Sequence, residues 1–192
     1  KDSEIVRLKK EISGNYGSVT VLVNNAGSSS KVRSIAYIPK DQWDDVLNVN
    51  LKSVYRICQE FLKDMLNKRN GTIITISSMA ALTPGLLGGS AYGAAKAAVT
   101  NLMGDINAEF SNMGIRATAI MPAEVDTPIL ENRALVPNKD ARSTMMQPED
   151  LADMIFTIAS INSRTTVETV VMKPTLKRDL SDDLNAAKNK TE

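Results

Sequence analysis

The sequence contains no histidine and only one cysteine, Cys58, among 192 residues. A histidine-dependent catalytic triad is therefore excluded, and an imidazole or thiolate metal site has nothing to be built from. No internal disulfide is possible. Cys58 falls within an amphipathic pattern and reads as a buried, inert thiol. No apolar run approaches the roughly 20 residues of a membrane span, and no signal peptide opens the chain. Nor is there an excess of either charge: 23 Lys and Arg balance 22 Asp and Glu. That balance gives no footprint for nucleic acid or an anionic membrane surface. Aromatic residues make up only 4% of the chain, with four tyrosines. What remains is a hydrophobic content of 43% and a charged content of 23%, the composition of a soluble globular domain able to bury a core. These properties fit a cytoplasmic enzyme or binding protein.

Hydrophobic periodicity predicts an alternation of helices and strands. Residues 2–13 form an amphipathic helix with Ile5, Leu8 and Ile12 on one face, stopping at Gly14. "SVTVLVNN" (18–25) is a β-branched run suited to a strand buried on both faces. A long helix over 42–68, capped by Asp41, carries Trp43, Val46, Leu47, Leu51, Val54 and Phe61. A second strand follows at 72–77, a helix at 91–112, a turn with Gly114 at its helix-ending position, and a third strand at 115–121. Residues 122–148 read as irregular. A helix at 147–160, started by Pro148, a strand at 166–172 and a charged tail close the sequence. This rhythm predicts an α/β, doubly wound parallel sheet with right-handed crossovers. One domain is expected over 1–175, with a flexible tail over 176–192.

Ligands of such sheets bind at the carboxyl ends of the strands. There the sequence places Asn24-Asn25-Ala26-Gly27, Ser77-Ser78 and Pro122-Ala123. Just downstream, "YGAAK" (92–96) puts Tyr92 and Lys96 four apart on one helix face. A phenol starts near a pKa of about 10. An ammonium about 4 Å away contributes roughly 4 kcal/mol, enough to bring Tyr92 toward neutrality, where a general acid/base works best.

"NNAG" (24–27), "NVNL" (48–51), "ISS" (76–78), "YGAAK" (92–96) and "PAEVDT" (122–127) occur in one order along the chain. In that arrangement the sequence resembles the short-chain dehydrogenase/reductase family, whose fold is a Rossmann-type three-layer α/β/α sandwich. The resemblance implies an oxidoreductase that moves hydride between NAD or NADP and an alcohol or ketone. It implies that Tyr92 exchanges the proton and that Lys96 lowers its pKa and bonds the nicotinamide ribose. Ser78 would donate to the substrate oxygen, with Ser77 the alternative. Asn50 would hold a water that relays protons to Lys96, or else tie neighbouring loops together. Asn24, Ala26, Gly27, Pro122, Ala123, Val125 and Thr127 complete the cofactor-binding set. Asn24 is expected to brace the central strand more than to touch cofactor, while Ala26 and Gly27 give the ribose room.

Two departures from the family pattern stand out. Pro-Ala replaces its usual Pro-Gly at 122–123, so that loop should take an ordinary backbone conformation. The glycine-rich phosphate loop, T-G-x-x-x-G-x-G, is also missing. The chain reads as starting inside the helix before the family's fourth strand, about 60 residues into an ordinary member, beyond the pyrophosphate site and the residue that selects the dinucleotide. "VTVLV" then becomes an exposed apolar edge, and this 192-residue chain is expected to bind dinucleotide poorly and turn over little. The second reading is a noncatalytic binding or regulatory protein on the same scaffold. Residues 79–90 and 128–147 are expected to choose the substrate. The apolar faces of helices 42–68 and 91–112 predict a homodimer or a homotetramer of such dimers.

Overall fold

A computed structural model describes residues 1–191. In chain order its elements are helix α1 (Asp2–Tyr16), strand β1 (Val21–Asn24), helices α2 (Lys40–Leu47) and α3 (Ser53–Lys68), β2 (Gly71–Ile76), α4 (Ser90–Phe110), β3 (Ile115–Pro122), the short α5 (Lys139–Ser143), α6 (Pro148–Ser160), β4 (Thr169–Met172) and α7 (Ser181–Asn189). The strands form one parallel sheet in the order β1-β2-β3-β4.

Helices cover both faces, because each face is apolar. On one side Val54, Cys58 and Met65 of α3 and Val99, Met103 and Ile106 of α4 pack on Ile73, Ile115, Ala117 and Ala119. On the other, Met154, Ile155 and Ile158 of α6 pack on Ile74, Ile120 and Val170. Each fully buried Val, Ile or Met among them contributes roughly 1.5–3 kcal/mol by leaving water. The expected doubly wound, three-layer α/β/α arrangement is therefore present.

Burial on both faces holds for β2 and β3. It does not hold for β1, where Val21 and Val23 are 39% and 41% exposed. β1 is the edge of the sheet, paired only with β2, so its outer flank has no neighbouring strand to cover it.

The long helix expected over 42–68 is interrupted. A π-helical turn at Asn48–Lys52 separates α2 from α3. Its extra residue per turn accommodates Asn50, which is fully buried. Pro39, not Asp41, stands at the cap position, in extended conformation and with no side-chain cap bond; Asp41 lies in the first turn, where its charge suits the helix dipole. α1 continues through Gly14 and ends at Gly17, whose φ of 81° terminates it. β4 is shorter than 166–172: the ladder begins with the Ala119 N–H on the Glu168 carbonyl, and the Ala117 N–H before it is taken by Asn107 Oδ1 at 2.7 Å. Gly114 is left-handed at φ 80°, and a Cβ there would lie 2.0 Å from the Arg69 carbonyl oxygen.

Two stretches are more ordered than the sequence suggests. Residues 122–148 contain a 3₁₀ turn (Pro128–Asn132) and α5, and bury Leu130, Met145 and Met146. Residues 176–191 carry a helix as well. α7 buries Asp183 and Ala187, and Arg178 ties it down with bonds to Asp183 at 2.7 and 2.8 Å and to Glu124 at 2.8 and 3.1 Å. A run of charges reads as solvated surface in a sequence; here opposite charges satisfy one another across 54 residues.

Candidate active site

The carboxyl ends of β1, β2 and β3 and the first turns of α4 bring most of the expected residues together. α4 begins immediately after Gly89, whose φ of 84° lets the chain turn into the helix. Tyr92 and Lys96 follow on one face. The Lys96 ammonium lies 5.5 Å from the centre of the Tyr92 ring and donates to the Ile76 carbonyl at 2.7 Å. β2 ends at that carbonyl, so the lysine links the end of β2 to α4. Lys96 is 4% exposed, and burial pulls its pKa down to about 8.

The two serines after β2 have separate roles. Ser77 is buried, donating to the Lys96 carbonyl at 2.9 Å and sharing a hydrogen bond with Thr100 at 2.8 Å. Ser78 begins the next turn, accepting from the Ala80 N–H at 3.1 Å. It also interacts with the Tyr92 phenol, favouring the ionised form.

The electrostatics of Tyr92 require a correction. Burial dominates and raises its pKa; Ser78 and the charges of Arg33 and Arg133 oppose the rise without overcoming it. The expected lowering by Lys96 does not occur in this structure. The ammonium is aimed at Ile76 and faces the ring rather than the oxygen.

Asn50 ties loops together. Its amide nitrogen donates to the Ser28 and Val46 carbonyls, both at 2.8 Å, and its oxygen accepts from the Ser28 N–H at 3.3 Å. Gly27 stands between Asn50 and Lys96. A Cβ on Gly27 would stand 3.1 Å from Asn50 Oδ1 and 3.6 Å from Lys96 Nζ. Only a bare Cα leaves that space open. Asn24 turns inward, donating to Thr75 at 3.1 Å and to the Cys58 sulfur at 3.4 Å; these are bracing contacts. Cys58 is held as a neutral thiol, with burial pushing it up to about 11. Ala26 and Gly27 are exposed at the end of β1.

Pro122 ends β3, and Ala123 donates to the Met172 carbonyl at 2.8 Å. Among the described residues, Arg69 alone of the non-glycines has a positive φ, so Ala123 has the ordinary backbone its side chain requires. Val125 bridges to Met146, and Thr127 donates to the Val125 carbonyl at 3.5 Å. The exposed Gly27, the Lys96 ammonium and this loop stand at the carboxyl ends of β1, β2 and β3. No residues of a phosphate loop accompany them in the sequence.

A sequence model of the short chain dehydrogenases matches residues 1–136. The chain belongs to this family. It is 32% identical over 169 residues to a 3-oxoacyl-[acyl-carrier-protein] reductase from Thermotoga maritima, covering 83% of this chain and 66% of that enzyme. It is 38% identical over 133 residues to dehydrogenase/reductase SDR family member 6 of Aquarana catesbeiana, covering 69% and 52% respectively. This short-chain dehydrogenase thus spans about two thirds of the first relative and about half of the second. A metagenomic short-chain oxidoreductase solved in complex with NADP superposes with a TM-score of 0.75 at 26% identity, over 92% of this chain and 71% of that one. Among the described residues no helix is long and apolar enough to cross a membrane.

The sequence reading missed Arg33, Arg133, Glu124 and Arg178 beside the site. Burial alone would raise the Glu124 carboxyl, but hydrogen bonds from Arg178 and Arg133 hold it below its ordinary value. Isolated charges in loops carry no periodic signal, and only the fold shows that they meet.

Proposed function

We propose that this protein is an NAD(P)-dependent oxidoreductase acting between an alcohol and the corresponding ketone, with Tyr92 as general acid/base. The observation that supports it best is the convergence of Ser78, Tyr92 and Lys96 at the carboxyl end of β2 beside the open face of Gly27. A bound nicotinamide would supply or accept the hydride. The chain's own residues then manage a proton and an oxygen.

Ser78 and Tyr92 present two hydroxyl donors to a substrate carbonyl oxygen. A buried phenol with a raised pKa is protonated near neutrality, which is the form an acid needs during reduction. The phenolate left behind is favoured by Ser78 and by the nearby positive charge of Arg33 and Arg133. Lys96, with a pKa near 8, is mostly cationic at neutral pH and is placed to hold the ribose. The space at Gly27 lies between an acceptor, Asn50 Oδ1, and a donor, Lys96 Nζ. A water seated there would link Lys96 to solvent, returning a proton to the amine after the ammonium has given one up. Ala26, Gly27, Pro122, Ala123, Val125 and Thr127 would line the nicotinamide end.

Tyr92→Phe tests this reading. Turnover should fall by about 10²–10⁴-fold, while NADPH fluorescence shows cofactor affinity unchanged. Undiminished turnover in the variant would eliminate Tyr92 as the acid. A wild-type protein that binds cofactor but reduces no ketone would favour the noncatalytic reading. We propose further that the outer faces of α3 and α4, where Tyr55 is 45% exposed, pair two copies; light scattering reads the mass.

A further inference from the structure

Beside Tyr92 lies a positive charge without a counter-ion. Arg33 is 4% exposed. It donates to the Gly88 carbonyl at 2.7 Å, the Asn132 carbonyl at 3.2 Å and the Ser29 hydroxyl at 3.3 Å. All of these acceptors are neutral, and Arg33 has no carboxylate partner among the described residues. Burial and the like charge of Arg133 pull its pKa down to about 10, the mark of a cation in an unfavourable place.

The surroundings sharpen this imbalance. Arg133 pairs with Glu124 at 2.6 Å, and Arg178 pairs with Glu124 at 2.8 Å and with Asp183 at 2.7 Å. Three guanidinium groups thus share two carboxylates, leaving one positive charge over. The neighbouring Asp126 and Glu131 are taken by Arg142 on the exposed side of the loop. Arg33 also sits at the start of α4, its carbonyl accepting from Ser90 N–H at 3.1 Å. The helix dipole there adds positive potential.

This charge is close to the chemistry. Gly88, whose carbonyl Arg33 holds, would place a Cβ 3.7 Å from the Tyr92 ring. Arg33 and Arg133 border a cavity of about 10 Å³ walled by Leu86, Leu87, Ala134 and Leu135 and, from α7, by Ala187 and by Asp183, whose carboxylate Arg178 already holds, room for about one water. Its walls are loops and one side of α7, with Leu135 43% exposed, so admitting a ligand requires the loops to part from each other or from the helix.

We propose that this cavity is the closed form of an anion subsite, and that the substrate is a hydroxy or oxo acid whose carboxylate is bound by Arg33. The proposal rests on the redox reading above and deepens it. A monoanion matches the single surplus charge, whereas a phosphate monoester brings nearly two. Carboxylate on guanidinium is a charge-assisted, often bidentate bond. It would set the substrate's orientation as well as its affinity, putting the carbonyl to be reduced at Ser78 and Tyr92.

The test compares 3-oxobutanoate with its uncharged isostere 3-oxobutanamide, and dihydroxyacetone phosphate with dihydroxyacetone. Binding to the whole chain is measured by calorimetry and by side-chain Nε–H NMR of Arg33. Turnover is followed separately by NAD(P)H consumption. The acid should bind at least about tenfold more tightly than the amide, and it alone should shift the Arg33 resonance. Arg33→Gln should bring acid and amide to parity, and Arg33→Lys should restore part of the preference. Equal binding of acid and amide by the wild type, an unshifted Arg33 resonance, or a larger preference for the phosphate ester would each overturn the carboxylate subsite. If the acid preference holds in binding but NAD(P)H is consumed with neither compound even when the chain is extended by the family's phosphate-loop segment, the subsite stands and the redox reading fails.

Discussion

Each end of the sheet buries an arginine, and the two make an instructive pair. Arg116, 8% exposed at the amino end, donates to the Thr72 hydroxyl at 2.8 Å and to the carbonyls of Ala159, Ile161, Asn162 and Thr165 at 2.9–3.3 Å. Arg33, 4% exposed, likewise donates to backbone carbonyls and a hydroxyl. The partners are alike, but the fields differ. Arg116 lies against the end of α6, where unpaired carbonyls and the negative pole of the dipole welcome a cation. Arg33 lies at the beginning of α4 beside a second guanidinium. One arginine completes the fold, while the other leaves a charge that the fold alone does not answer.

The same contrast separates the glycines, and the largest effect is expected there. Gly114, at the amino end, and Gly89, at the site, both have positive φ. A Cβ on Gly114 would lie 2.0 Å from the Arg69 carbonyl oxygen, whereas one on Gly89 would lie 2.8 Å from the Arg33 Cδ and 3.2 Å from its Cα, a looser fit. Gly114→Ala should therefore cost more than about 4 kcal/mol by urea denaturation, and Gly89→Ala clearly less. Equal losses would show that the site end is as rigid as the structural end. Next in size, Arg116→Met should cost about 3 to 4 kcal/mol, since it strips donors from several carbonyls at once. A near-neutral result would mean that water replaces the guanidinium there.

Lys96 sharpens the comparison through pH. Its folded pKa of about 8 lies below the ordinary 10.5. Between those values the unfolded chain binds more protons, so this group adds stability as pH rises through the window and its penalty is constant below it. The gain is at most about 3 kcal/mol. Cys58, raised from 9.0 to about 11, acts in the opposite sense over much of the same range. The measurement is accordingly a difference, wild type minus Lys96→Met, from thermal or urea melts at pH 7.5 to 10. The difference should grow with pH; if it is flat, the ammonium is better hydrated than its burial indicates.

The legibility of the sequence divides along similar lines. Strands β2 and β3, the helix carrying Tyr92 and Lys96, and the turn at Gly114 were readable because each follows from a local rule: a β-branched run, an i to i+4 spacing, a backbone that only glycine tolerates. The break at Asn48–Lys52 was not readable, because a π turn keeps the helical hydrophobic pattern and shifts only the register. Nor was the order of the tail, which depends on Arg178 meeting Glu124. The upward shift of Tyr92 was missed for a related reason. Spacing places a lysine near a tyrosine, but only packing shows that the ammonium is turned to Ile76 and that burial outweighs it.

The smallest expected effect is the most diagnostic. Arg33→Met removes hydrogen bonds to Gly88, Asn132 and Ser29, a loss of about 0.5–1.5 kcal/mol each if nothing else changed. It also removes a buried charge that repels Arg133 and pays for its own desolvation, and these gains oppose the loss. The net change in stability should fall within about 1 kcal/mol, well below that for Arg116→Met. A near-neutral result, beside a costly Arg116, would show that the charge at Arg33 is not kept for the fold. A loss as large as that at Arg116 would make the two arginines equivalent clamps and remove the stability argument for an anion beside Tyr92.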